Sequence, residues 1–236
     1  MTLEDQISDA QTHVIDPPKN ESNTCDWIIY PLLLAAGYVY RDIHSRIADG
    51  AGMYPDYTIL PDHRSATFYL EAKAWNIPLD DQHVKQALNY ANQNGKRFVV
   101  LTNGQNWRLY DNAIQEILAR KLLSGAAISD TPRITEFLTI ISKSCVLQGS
   151  LEQTAAEVNQ QRLQAARESR EQKDREEELE RIRKRQVEVD ELLDRTFREL
   201  LIDSESKMVA WITDNSRMVE GIDYISAAEV SAGFDT

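Results

Sequence analysis

The spacing of hydrophobic positions changes along the chain, and each change predicts a different element. Residues 2–12 suit one short helix, which must stop before Asp16-Pro17-Pro18 because two prolines impose an extended turn. In NESNTCDWIIYPLLLAAGY, Asn20 or Ser22 can cap a mostly apolar helix carrying Trp27, Ile28, Leu32, Leu34 and Ala35 and ending at Gly37. Pro31 lies inside that helix and is expected to bend it. From 38 to 75 the runs YVYRDIH, MYPDYTIL and ATFYLEAKAW read as a strand meander, separated by Ala-Asp-Gly-Ala-Gly and Pro-Asp-His-Arg-Ser turns. A helix follows over about 80–92 and stops at Asn94-Gly95. RFVVLT is then a buried strand, Asn103-Gly104 a tight turn and NWRLYD the returning strand of a hairpin. EILARKLL fits either a strand or a helical turn, and ITEFLTIISKSC places Ile134, Phe137, Leu138 and Ile141 at helical spacing.

From 151 to about 201 there is no Pro or Gly, and pairs such as Glu171 with Arg175, Glu177 with Arg181 and Glu180 with Lys184 recur at i,i+4. This predicts one long charged helix. Leu179, Ile182, Gln186, Val189, Leu193, Thr196 and Leu200 fall at a and d positions, so a short coiled coil is expected after Leu179 and a solvated helix before it. Beyond Asp203, SKMVAWI is amphipathic and the last residues are acidic and small, a composition that suits disorder. The expected organisation is a lead-in helix over 1–19, a core domain over 20–150, the charged helix over 151–202 and an acidic tail over 203–236. The fold class this implies is α/β: a central mixed sheet of about four or five strands flanked by helices, with a long C-terminal helix.

Composition narrows the setting. Cys25 and Cys145 have no metal-type spacing and make no disulfide framework, which predicts a reducing cytoplasm. No run approaches ~18 uninterrupted apolar residues and the N-terminus MTLEDQISDAQ is acidic, so neither a membrane span nor a signal peptide is expected. The four histidines share no paired spacing that would suggest zinc. The net charge of -12 argues against phosphate-backbone binding until it is divided along the chain. Residues 1–150 hold 17 acidic and 13 basic side chains, whereas 151–236 hold 21 and 13, so most of the acidity lies outside the core domain.

The candidate chemistry sits on the third predicted strand. Residues two apart share a face, so Tyr69, Glu71, Lys73 and Trp75 are expected on one side and Phe68, Leu70, Ala72 and Ala74 on the other. A carboxylate and an ammonium in so apolar a strand are costly unless they pair or serve a site. The preceding strand supplies Asp56 after Pro55, and a meander would bring it beside Glu71. Phosphodiester hydrolysis needs a divalent cation, and hard cations take oxygen ligands. Asp56, Glu71 and the Ala72 carbonyl are candidate ligands for Mg2+, with Mn2+ able to substitute, and Lys73 is the candidate for orienting or deprotonating the attacking water.

Pro55-Asp56 followed by Glu71-Ala72-Lys73 resembles the PD-(D/E)xK nuclease superfamily. The flanking residues narrow the likeness to the N-terminal nuclease domain of type I restriction enzyme R subunits. Glu21, Thr24, Ile29, Pro31-Leu32-Leu33 and Gly37-Tyr38 match the opening helix of that family, Gln86 and Tyr90 its Q-x-x-x-Y motif, and FVVLTNGQNWRLYD the strands that follow. The resemblance covers about residues 20–145. An Arg often follows the Thr in that family, and Cys25 stands there instead. The likeness implies a restriction-endonuclease-like fold, magnesium-dependent cleavage of DNA and a role in prokaryotic restriction or antiviral defence. It also implies Glu21 as a further active-site carboxylate and Gln86 with Tyr90 as supporting residues. The family's ATP-driven translocase is absent from these residues: there is no G-x-x-x-x-G-K-[ST] loop, hence no ATP site.

Plainer readings stand beside these. Glu71 and Lys73 also suit an ion pair on a half-exposed face, Gln86 and Tyr90 an ordinary helix face, and Glu21 a first-turn acid favoured by the helix dipole. Arg41, Arg46, Lys96, Arg97 and Arg108 suit a DNA groove or scattered surface charge equally. Two activities other than DNA cleavage remain open: RNA cleavage by the same chemistry, and a silent nuclease fold that binds DNA or assembles through the coiled coil. A homo-oligomer or partner protein is expected to dock through 179–201.

Overall fold

A computed structural model of the chain describes residues 2–45, 55–62, 67–199 and 205–214. It divides into two compact units, Met1–Arg162 and Leu163–Thr236.

The first unit is built on a mixed sheet of six strands in the order β1-β2-β3-β4-β5-β6. These are β1 (Ile43–Ser45), β2 (Tyr57–Ile59), β3 (Phe68–Ala72), β4 (Phe98–Thr102), β5 (Asn106–Asp111) and β6 (Leu122–Ala127). Only β3 and β4 run parallel, because the helix α4 (Asp81–Gln93) carries the chain back between them. All other neighbours are antiparallel. The α/β class and the mixed sheet agree with the expectation from sequence. The sixth strand exceeds the four or five expected because EILARKLL resolves both ways: Leu118–Lys121 is a helical turn, α5, and β6 begins at Leu122.

Alternation along the strands sorts the core into two layers. Phe68, Leu70, Phe98, Val100, Trp107 and Leu109 face one side, where they join α1 (Leu3–Thr12) through Ile7, the second helical segment through Ile28 and Leu32, and α6 (Thr131–Ile140) through Ile134 and Phe137. Tyr69, Val99, Leu101 and Tyr110 face the other side, under Val84, Leu88 and Ala91 of α4. Asp80 caps α4 by accepting from the Gln82 and His83 backbone N–H groups.

Pro31 acts on its helix differently from the bend expected. The segment runs α2 (Glu21–Thr24), a π turn (Cys25–Ile29) and α3 (Tyr30–Ala35). Proline has no N–H, and the Tyr30 N–H donates to the Cys25 carbonyl one residue further back than an α-helix would use. The widened turn therefore accommodates the proline. The expected strand at YVYRDIH is also shorter: Tyr40–Asp42 forms a 3-10 turn and pairing starts at Ile43. The cause is Asp42, whose carboxylate accepts from the Val39 N–H at 2.8 Å and from Lys143 Nζ at 2.7 Å, drawing the backbone into a turn. Lys143 in turn starts α7 (Lys143–Leu147), so ITEFLTIISKSC is two helices rather than one.

The long helix α8 (Ser150–Glu199) begins within the first unit, where Leu151 and Ala155 are fully buried. In the second unit it exposes Leu179 and Ile182, while Val189, Leu193 and Thr196 are half-buried. The amphipathic SKMVAWI lies in α9 (Glu205–Asp214). Leu200 of the expected a/d pattern, both turns of the meander beyond Asp62 and Ser45, Met53, Tyr54 and the acidic end of the tail lie outside the described residues. Among the described residues no helix is long and apolar enough to cross a membrane.

Candidate active site

β3 delivers the two residues at the centre of the candidate site. Glu71 lies in the strand and shares the sheet face of Tyr69, while Lys73 follows the strand's last residue, Ala72. Lys73 Nζ donates to Glu71 Oε1 at 2.6 Å, and Glu71 is only 9% exposed. Asp56 immediately precedes β2, and its Oδ2 accepts from the Ala72 N–H at 2.7 Å. That bond pins the Asp56 carboxylate to the backbone between Glu71 and Lys73, so the three residues read from the sequence are brought together.

Burial pushes the Glu71 carboxyl above its ordinary range, and the charge of Asp56 pushes it further. The Lys73 hydrogen bond and charge oppose the shift, and Glu21 adds to it from a distance. Two neighbouring carboxylates that repel each other, one of them desolvated, form a site that gains from a cation. Among the described residues no group of three or more His, Cys, Asp and Glu side chains is placed to hold a metal. A pair of carboxylates with a backbone carbonyl is nonetheless the oxygen-only set that magnesium uses, since it keeps several of its waters. The residues present thus fit a partly hydrated hard cation.

The raised Glu71 pKa carries a sign. The folded protein binds this proton more tightly than the unfolded chain, so the group's contribution to stability is full at low pH and lost as pH rises through its folded pKa. A cation reverses the preference. Affinity for Mg2+ or Mn2+, measured by titration calorimetry, is expected to rise with pH through a pKa above the ordinary Glu range, with proton release visible as a buffer-dependent heat. The same affinity across that window would contradict the placement of Glu71.

The remaining candidates divide. Glu21 is exposed at the start of α2 and shares with Asp56 the wall of a cleft of about 600 Å³, which Glu71 and Lys73 do not line. Tyr90 is buried with its ring against Tyr69, centroids 5.1 Å apart, two residues from Glu71 on the same face. Gln86 stands exposed on α4, and among the described residues nothing ties it to Asp56, Glu71 or Lys73. Cys25, where the resembled family often has Arg, is buried in the π turn beside Tyr57 and its thiol is pushed up to about 12 by burial, so it stays neutral. Arg97 is committed to Asp111 through two hydrogen bonds of 3.1 and 2.8 Å, and Arg108 to the Leu79 carbonyl, so both serve the fold. Arg46 lies outside the described residues.

Trp75 departs from the expected alternation. It joins the core layer of Phe68, Leu70 and Ala72, opposite Glu71. Lys73 N–H still donates to the Thr102 carbonyl of β4 at 2.8 Å, but Trp75 N–H turns to Thr24 Oγ1 at 3.0 Å. The Trp75 and Ile77 carbonyls accept from Gln105 Nε2 and Asn103 Nδ2 at 2.9 and 2.8 Å. The Thr-Asn-Gly segment is therefore a clamp on the end of β3 as well as a hairpin turn. Thr24, Asn103 and Gln105 are not among the candidate site residues; their signal in sequence is their place in the resembling motifs and, for Asn103, the Asn-Gly turn.

Gly104 is needed in that clamp. Its φ is +81°, and a Cβ there would stand 3.0 Å from the Trp75 ring and 3.1 Å from the Thr24 methyl. Gly104→Ala is expected to cost about 1–3 kcal/mol through strain and overpacking, measured by urea unfolding. An unchanged midpoint would mean that the clamp yields freely.

No family model matches the chain, and no curated protein does. Among solved structures it is similar to a chain of the cryo-EM structure of the DrdV–DNA complex, with a TM-score of 0.42 and 15% sequence identity. That similarity covers 58% of this chain and 13% of the other, so this chain spans a small part of its length.

Proposed function

We propose that the chain is a metal-dependent deoxyribonuclease of the PD-(D/E)xK type, as the sequence resemblance to type I restriction R subunits implies, acting in restriction or antiviral defence. One observation carries the reading: Asp56 is anchored on the Ala72 N–H between Glu71 and Lys73, themselves joined at 2.6 Å in a nearly buried pair. A structural ion pair alone would need no second carboxylate there.

Asp56, Glu71 and the Ala72 carbonyl would hold Mg2+ or Mn2+, which when bound supplies positive charge to the phosphate under attack. Lys73 opposes the upward shift of the Glu71 carboxyl and would present N–H donors beside the nucleophilic water and the developing charge. Asp56, fixed by the backbone, keeps its second oxygen available as a ligand. Tyr90 supports the sheet face through Tyr69; Gln86 would contact the DNA backbone, and Glu21, in the cleft wall with Asp56, would bind the same cation directly or through water.

Purified protein with Mg2+ is expected to cleave supercoiled plasmid, and EDTA to stop it, with RNA cut poorly beside DNA. Cleavage that is insensitive to EDTA would overturn the reading. DNA binding without any cleavage would favour a silent nuclease fold.

The second unit suggests assembly. Leu179 and Ile182 are 66% and 57% exposed on α8, large apolar side chains at a and d positions. A homo-oligomer joined through 179–201 would cover them, and light scattering is expected to give a mass above one chain that falls on Leu179→Glu with Ile182→Glu. A monomer at all concentrations would remove this contact.

A further inference from the structure

The cleft beside the candidate site has a chemistry of its own. At about 600 Å³ it is in the range of small-molecule sites, and its described walls carry no Lys or Arg. These described walls offer a phosphate backbone no side-chain cation. Instead the cleft is lined by three aromatic side chains, Tyr30, Tyr40 and Tyr57, with the hydroxyls of Ser22 and Ser45 and the carboxylate of Asp26. Tyr40 is 81% exposed, an unusual state for a large aromatic, and it is held out by the 3-10 turn that Asp42 imposes on Tyr40–Asp42. Glu21 and Asp56 stand in the same wall, so whatever enters lies next to the proposed cation.

We infer that this cleft receives an unpaired nucleobase of the DNA strand being cut, stacked on Tyr40 with its donor-bearing edge toward the Ser22, Asp26 and Ser45 oxygens. The inference rests on the nuclease reading for what is bound and names its substrate class: single-stranded DNA, or duplex opened locally at the cut. A base is uncharged, planar and carries N–H donors on its pairing edge, which matches a wall of tyrosines, serine hydroxyls and a carboxylate. A paired base cannot present that edge, so intact duplex is disfavoured.

The test uses the full chain with Ca2+ in place of Mg2+ and a fluorescein-labelled 12-nucleotide DNA, single-stranded or as duplex, followed by anisotropy. A second single strand carries 2-aminopurine, whose fluorescence is quenched on stacking. The single strand is expected to bind at least about tenfold tighter than the duplex, and Tyr40→Ala to weaken it about tenfold while Tyr40→Phe restores it. The 2-aminopurine quench is expected to vanish in Tyr40→Ala alone. Equal binding of both DNA forms, or Tyr40→Ala indistinguishable from wild type, overturns the subsite, and no binding of the single strand does so as well. If plasmid cleavage still depends on Glu71 in those cases, the nuclease reading stands without it. A Tyr40-dependent quench in a protein that cleaves nothing would keep the subsite and remove the nuclease.

Discussion

Glu71→Gln is expected to lower magnesium-dependent DNA cleavage by at least about 10²–10³-fold while leaving the protein folded. The amide keeps the size of the carboxylate and can still meet Lys73 Nζ, which lies 2.6 Å from Glu71 Oε1, but it removes a charged ligand. Lys73→Met should cut activity by a similar factor for a different reason, and the two variants separate in their stability. Loss of the ammonium leaves Glu71 buried beside Asp56 without its compensating charge, and Lys73 is what holds the Glu71 pKa down against burial. In Lys73→Met the pKa rises further, so the variant loses stability relative to wild type as pH rises and recovers as pH falls and Glu71 takes up a proton. Glu71→Gln has no such dependence. Thermal melts across pH beside plasmid cleavage read both outcomes. Wild-type cleavage rates in Glu71→Gln would sink the site, and a Lys73→Met melt that tracks wild type at every pH would sink the electrostatic account of it.

The legible parts of this molecule were those that a local rule decides. Period-two alternation over Phe68–Ala72 sets Glu71 on the face of Tyr69, and the apolar run at Phe98–Thr102 marks a buried strand, as found. The long Pro- and Gly-free stretch gave the helix Ser150–Glu199. Misreadings arose where a partner far along the chain decides. The strand starting at Tyr38 yields to a turn because Asp42 meets Lys143, 101 residues away. Trp75 leaves the strand's alternation because its N–H meets Thr24, 51 residues earlier, and its ring lies against Gly104. Pro31 marks a disturbance in the sequence, but the segment widens into a π turn rather than bending, with Ile28, Ile29 and Leu32 around it fully buried. For the site, the identities of Asp56, Glu71 and Lys73 were visible in sequence, whereas the bond from the Ala72 N–H that orders them depends on the antiparallel register of Tyr57 opposite Leu70.

Lys143→Met is expected to cost about 3–5 kcal/mol at neutral pH, among the largest stability losses available in the first unit. Asp42 is fully buried, and Lys143 Nζ lies 2.7 Å from its Oδ2. The pair joins the 3-10 turn at Tyr40–Asp42 to the start of α7, where the Lys143 N–H also donates to the Ala36 carbonyl at 3.0 Å and Tyr38 Oη to the Ile141 carbonyl at 2.6 Å. Removing the lysine leaves those backbone bonds in place and takes the Lys143 charge from a buried carboxylate, so the loss is electrostatic rather than a loss of packing. Asp42→Asn added to Lys143→Met should therefore restore most of the stability, because the amide oxygen can still accept from the Val39 N–H and no buried charge remains. Urea denaturation of the two single variants and the double completes the cycle. Additive losses would mean that the two side chains act independently. A restored double would also show that the turn presenting Tyr40 to the cleft survives without the charges, since Tyr40-dependent single-strand binding should return with stability.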